Sequence, residues 1–134
     1  MRLVVYTHLE DYIRKLYFNL NIYRPEQLDM QIIASKIGVE IVYRNVTLML
    51  DDEIHLQKSS YTNEWMEFGH ELCHHLRHHG CQFDIHPLYV DLQEWQAANF
   101  AYHFCVPTFM LERMILPSTQ NEAIDLIARE FNVS

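Results

Sequence analysis

Apolar residues recur at Leu9, Ile13, Leu16 and Tyr17. That spacing of three and four predicts an amphipathic helix over Tyr6–Tyr17, capped by Thr7 with Glu10 completing a capping box. Pro25 suits a first helical turn. Apolar positions then return at Leu28, Ile32, Ile33 and Ile37, and Gly38 is placed to end that helix. The pattern next shifts to β-branched runs. Val39–Arg44, Val46–Leu50 and Glu53–Gln57 read as three short strands with a turn at Asp51–Asp52, hence a small three-stranded antiparallel meander. Helical spacing resumes with Trp65, Phe68, Leu72 and Leu76 in one stripe, Thr62 as the expected cap and Gly80 as the stop. Cys81–Val90 has no clear period and reads as loop. Helices are expected over Asp91–Cys105, Pro107–Ile115 and Asn121–Phe131, the last capped by Ser118 or Thr119. Helices, then strands, then helices make an α+β domain.

Composition adds bounds. The 134 residues suit a single domain spanning 1–134, and 49% hydrophobic residues supply a core without disulfide staples. Ten Lys+Arg against eighteen Asp+Glu leave a net charge of −8, and no basic cluster is present. Direct nucleic-acid binding and anionic membrane surfaces are therefore disfavoured. No apolar run approaches the roughly 20 residues that cross a membrane, and no signal peptide is evident at the N-terminus. Three cysteines (Cys73, Cys81 and Cys105) form no C-x-x-C pair. Together these features point to a cytoplasmic protein.

Six of the nine histidines lie between His70 and His86. Among them, His70-Glu71-Leu72-Cys73-His74 reads H-E-x-x-H. On a helix, residues four apart share a face, so both imidazoles can point at one metal ion, and the Glu between them stays near the ion as a general base. On these five residues alone, a metal pair and a solvated histidine pair are equally good readings. The amphipathic context favours metal, because the Trp65–Leu76 stripe leaves His70 and His74 on another face. Glu94, with nineteen residues between it and His74, is a candidate third ligand. Two His and one Glu leave a fourth zinc position for water. Asp91–Glu94 also reads as a capping box, which would tie Glu94 to its own helix end. Against that, Gly69 and the small residues Ala97, Ala98 and Ala101 would let two helices approach closely enough to share a ligand.

The run Trp65–His75, followed by Glu94-Trp95-Gln96-Ala97, Phe100-Ala101 and Pro107, resembles the ImmA/IrrE family of metallopeptidases. The stretch Pro25–Val39 and the strand after it are similar to the corresponding part of that family. The resemblance implies a minimal, gluzincin-like zincin fold, with zinc held by His70, His74 and Glu94 and with Glu71 as general base. It implies a zinc-dependent endopeptidase acting on a protein, of the phage or mobile-element type that cuts a helix-turn-helix repressor. It also implies a cleft between the Thr62–His79 and Asp91–Cys105 helices. Cys73 departs from the family pattern, in which a small residue precedes the second histidine, and would crowd the metal face or place a thiol near it. The alternative reading is a zinc-stabilised interaction module that antagonises its partner without cutting it. His75, His78 and His79 read as solvated helix-end residues. Cys81 with His78, His79 and His86 matches no standard zinc spacing. For an oxyanion-stabilising role, Tyr61, Tyr89, Tyr102 and His103 are equal competitors. Neither the oligomeric state nor the cleaved bond is legible.

Overall fold

The computed structural model describes residues 6–43, 53–77 and 87–134. Helix α1 spans His8–Asn19 and opens on the expected capping box: Glu10 N–H donates to Thr7 Oγ1, and Thr7 N–H to Glu10 Oε1. Pro25–Gln27 forms a separate 3-10 turn. Helix α2, Met30–Ile37, is capped by Asp29 and ends at Gly38, whose φ of 92° is the left-handed conformation that glycine adopts without a Cβ penalty.

Strands β1 (Glu40–Tyr43) and β2 (Glu53–Leu56) follow. They pair directly and in parallel, Glu40 opposite Glu53 and Tyr43 opposite Leu56. This corrects the expected antiparallel meander. In a meander the first and third strands are separated by the second; here they are hydrogen-bonded neighbours. Parallel neighbours require a crossover rather than a tight turn. A strand's alternation reads alike in both directions, so it carries no information on pairing. The expected strand Val46–Leu50 lies outside the described residues. Burial in β2 fits a sheet covered on both faces: Ile54 and Leu56 enter the core, while His55 on the opposite face is 3% exposed and bonded to Glu53 Oε2 at 2.8 Å.

Helix α3 spans Tyr61–Arg77, and its cap is Ser60 rather than Thr62: the Ser60 hydroxyl receives the Asn63 N–H. Helix α4 spans Pro87–Cys105, four residues earlier than the Asp91 start expected from sequence. Pro87 stands at its first position, where the missing N–H leaves no bond unmade. Short helix α5 covers Thr108–Leu111, and α6 covers Gln120–Phe131, capped by Thr119. The fold is a mixed, mostly helical one with a small sheet.

The core assembles around α3 and α4. Trp65, Phe68 and Leu72 from α3 meet Ala97, Phe100 and Phe104 from α4, all fully buried. Tyr17 of α1 stacks on Phe104 and donates its hydroxyl to the Phe104 carbonyl at 2.6 Å. Ala101 lies against Gly69, and the Cys105 thiol donates to the Trp65 carbonyl, so α3 and α4 run antiparallel. The sheet is fastened to α3 at two points. Tyr43 donates to the buried Glu64, which pushes the phenol up to about 12, and Gln57 N–H donates to Glu67.

Candidate metal centre

The site grows from the α3–α4 contact. A Cβ on Gly69 would stand 3.2 Å from the Ala101 main chain and 3.2 Å from the Phe104 ring. Glycine there lets the two backbones approach as the sequence implied. This close approach brings Glu94, in the second turn of α4, to the His70/His74 face of α3. Because α4 begins at Pro87, Asp91 is an interior residue and the capping-box reading of Glu94 lapses.

The Glu94 carboxylate divides between the two imidazoles. Its Oε2 lies 2.8 Å from His70 Nε2, and its Oε1 lies 3.2 Å from His74 Nε2. The rings stand edge-to-face with centroids 5.1 Å apart. The three donor atoms fall within 4.8 Å of one another, and among the described residues they are the group suited to hold a metal ion. Donors on a tetrahedron around a zinc-sized ion stand about 3.3 Å apart, given ~2.0–2.1 Å bonds. The two Glu94–imidazole contacts, at 2.8 and 3.2 Å, are close to that spacing. His70 and His74 are largely buried, while Glu94 is 43% exposed, so solvent reaches the centre from the α4 side.

Glu71 follows His70 on α3 and is half-buried beside the pair. Burial pushes its carboxyl up to about 7, with the charges of Glu67 and Glu94 adding to the effect. An acid of that kind exchanges protons near neutral pH. Cys73 is fully buried in the core cluster, and burial pushes its thiol up to about 11. The Glu94 charge also acts on this thiol, so Cys73 lies in the core and near the metal centre at once.

Among the oxyanion competitors, Tyr102 lines a cleft with His70. The charge of His103 acts on Glu10 instead, and Tyr61 lies near Met30 and Asp29. The Tyr89 side chain, His78, His79, Cys81 and His86 lie outside the described residues. The cleft between these two helices was implied by the family resemblance, whereas the contribution of Glu67 to its lining depends on how α3 meets α4 and was not legible in sequence.

The family model described as the IrrE N-terminal-like domain, Peptidase M78, matches residues 25–134. The chain belongs to this peptidase M78 family. Over 134 aligned residues it is 41% identical to the phage-like element PBSX protein XkdA of Bacillus subtilis (strain 168), covering 96% of this chain and 68% of XkdA. It is 35% identical to the uncharacterized protein YqaB of the same organism, covering 96% of this chain and 78% of YqaB. No solved structure gives a significant match. Membership in a metallopeptidase-like family agrees with a metal-binding role for the His70/His74/Glu94 group. No described helix is long and apolar enough to cross a membrane.

Proposed function

We propose that this M78 member is a zinc metalloendopeptidase with a gluzincin-like arrangement, and that it cleaves a DNA-binding repressor of the helix-turn-helix type in the cytoplasm. The observation that carries the reading is the convergence of His70 and His74 from α3 with Glu94 from α4, with Glu71 alongside. Two imidazoles and one carboxylate on an H-E-x-x-H helix suit zinc among the divalent ions. When bound there, zinc supplies a Lewis acid that polarises a carbonyl and lowers the pKa of a coordinated water to about 7.

The chain's own residues do the rest. Glu71 takes the proton of the attacking water at a carboxylate oxygen and hands it to the leaving amine nitrogen. Burial and the charges of Glu67 and Glu94 raise its carboxyl in the metal-free chain. His70 and His74 are oriented by one helical turn, and Glu94 by the close α3–α4 contact. Two features support the choice of partner. XkdA is named for a phage-like element, and a net charge of −8 suits a basic, DNA-binding protein.

The test is Glu71→Gln. The variant should keep the fold, bind zinc and capture the partner from lysate, yet cleave it at least about 100-fold more slowly than the parent, the usual share of a general base. Added parent should then cut the captured protein. A variant that antagonises the partner as well as the parent does would sink the proteolytic reading and leave the interaction-module alternative. Metal analysis of protein purified without added zinc should give about one ion per chain, the stoichiometry of a single His₂Glu centre.

A further inference from the structure

Helix α4 presents a second surface, turned away from its contact with α3. Leu88, Leu92, Trp95, Asn99 and Tyr102 follow one another at steps of four, three, four and three residues. At 3.6 residues per turn they fall on one stripe. Its four apolar members are between 48% and 71% exposed, while Ala97, Phe100 and Phe104 on the opposite side of the helix are buried in the core. Single apolar residues on a surface need no explanation. Four in register along about 21 Å of one helix do.

The spacing is that of a coiled-coil seam. In heptad terms Leu88, Trp95 and Tyr102 take d positions, and Leu92 and Asn99 take a positions. A lone polar Asn at an a position fixes a partner's register at some cost in stability. The g positions that flank the stripe are Asp91, which is exposed, and Ala98. Gln96 and His103 take e positions on the other flank. Pro87–Cys105 contains two acids and no Lys or Arg, in a chain whose net charge is −8.

Charge selects the occupant. A second copy of this chain sets −8 against −8, and its own α4 has no Lys or Arg to meet Asp91. An anionic bilayer surface is repelled in the same way. A helix with apolar residues at a and d, and Lys or Arg at e and g, satisfies both the stripe and its acidic flank. We infer that the outer face of α4 is a docking site for a basic amphipathic helix of another protein, packed against it as a coiled coil of two heptads. The stripe uses none of the three candidate metal donors, so docking requires neither the metal nor cleavage.

Three-heptad peptides test this on the full chain. Two carry Leu at every a and d, one with Lys and the other with Glu at every e and g. Like charges at those positions keep each peptide from pairing with itself. A third has the Lys composition with its leucines scrambled. Of the two tryptophans Trp65 is 1% exposed, so acrylamide quenching reads Trp95. The Lys peptide should shield Trp95 and shift its emission to the blue. It should bind at least about tenfold tighter than the Glu peptide, because like charges across an interface are strongly disfavoured. Added salt should narrow that gap. Leu92→Ser should weaken the Lys peptide at least about tenfold, the scale of one buried leucine. Asp91→Lys should shrink the preference for Lys over Glu about threefold.

A scrambled peptide that shields Trp95 equally well would reduce the effect to bulk charge and overturn the seam. So would a Lys peptide that leaves Trp95 open to acrylamide, or one that binds a folded Leu92→Ser protein as tightly as the parent. If Leu92→Ser misfolds, the three peptides on the parent still decide. Shielding by rising protein concentration alone, with a dimer in sedimentation, would assign the face to a second copy and refute the basic helix. Shielding by phosphatidylcholine vesicles but by no peptide would assign it to a membrane, with the same consequence.

Discussion

Glu94 and Glu10 are both carboxylates near helix starts, yet they do different work. Glu94 reaches across to His70 and His74 on another helix. Glu10 closes the α1 capping box and also accepts the Thr108 hydroxyl, tying α1 to the start of α5. The Thr108 bond, then the Thr7 amide, hold the Glu10 carboxyl below its ordinary 4.5. A folded-state value depressed in this way contributes stability above the unfolded value. That contribution fades as pH falls through the folded value. Urea midpoints should therefore separate parent from Glu10→Gln at pH 7 and converge under acid, well below pH 4.5; a gap unchanged by acid would refute the assignment. The Tyr43–Glu64 pair makes a second prediction at this scale. Tyr43→Phe removes a donor from a carboxylate that is 7% exposed. An unsatisfied buried acceptor costs about 1–3 kcal/mol. Denaturant unfolding should register that loss, and the double variant Tyr43→Phe/Glu64→Leu should recover part of it.

At the scale of elements, the α3–α4 contact decides whether a site exists. Gly69→Ala gains about 1 kcal/mol of helix propensity. Its new methyl group meets the Ala101 main chain and the Phe104 ring. Main chain cannot rotate away, and overpacking of a tight contact costs about 1–3 kcal/mol. The expected net effect is a less stable protein with weaker affinity for a metal at the proposed centre, because the helices spread and draw Glu94 away from His70. A more stable variant with unchanged affinity would show the contact to be looser than it looks. The start of α4 illustrates why sequence periodicity missed it. Its apolar residues lie on both faces, with Leu92 at 48% and Trp95 at 65% exposure while Ala97 and Phe100 are buried. Without one apolar stripe there is no 3.6-residue signal to mark the first turn. Pro87 read as loop when it was the helix's first residue. The Thr7/Glu10 capping box and Gly38, by contrast, were legible, since each is satisfied within a few residues of its own chain.

For the molecule as a whole, a metal ion held at the proposed centre would link binding to folding, because the three candidate donors come from two helices. An ion that binds only the folded chain stabilises it by about 4 kcal/mol at a thousandfold excess over Kd. For a chain of this size that corresponds to a Tm rise on the order of 10 °C. Chelation should lower the melting temperature of the parent by this amount, and Glu94→Ala should show a much smaller chelator response. Equal responses would place the ion elsewhere. The sequence by itself determined what one helix or one turn can impose: the His70/His74 pair on a shared face with Glu71 between them, the Thr7 and Thr119 caps and the Gly38 stop. Tertiary structure alone decided how Glu94 meets both imidazoles, that Cys73 is buried in the core, that β1 and β2 run in parallel, and which residues line the cleft beside His70. Backbone geometry fixes relations between residues three or four apart. Relations across 24 residues, as between His70 and Glu94, depend on which faces pack together, and that is set by the core as a whole.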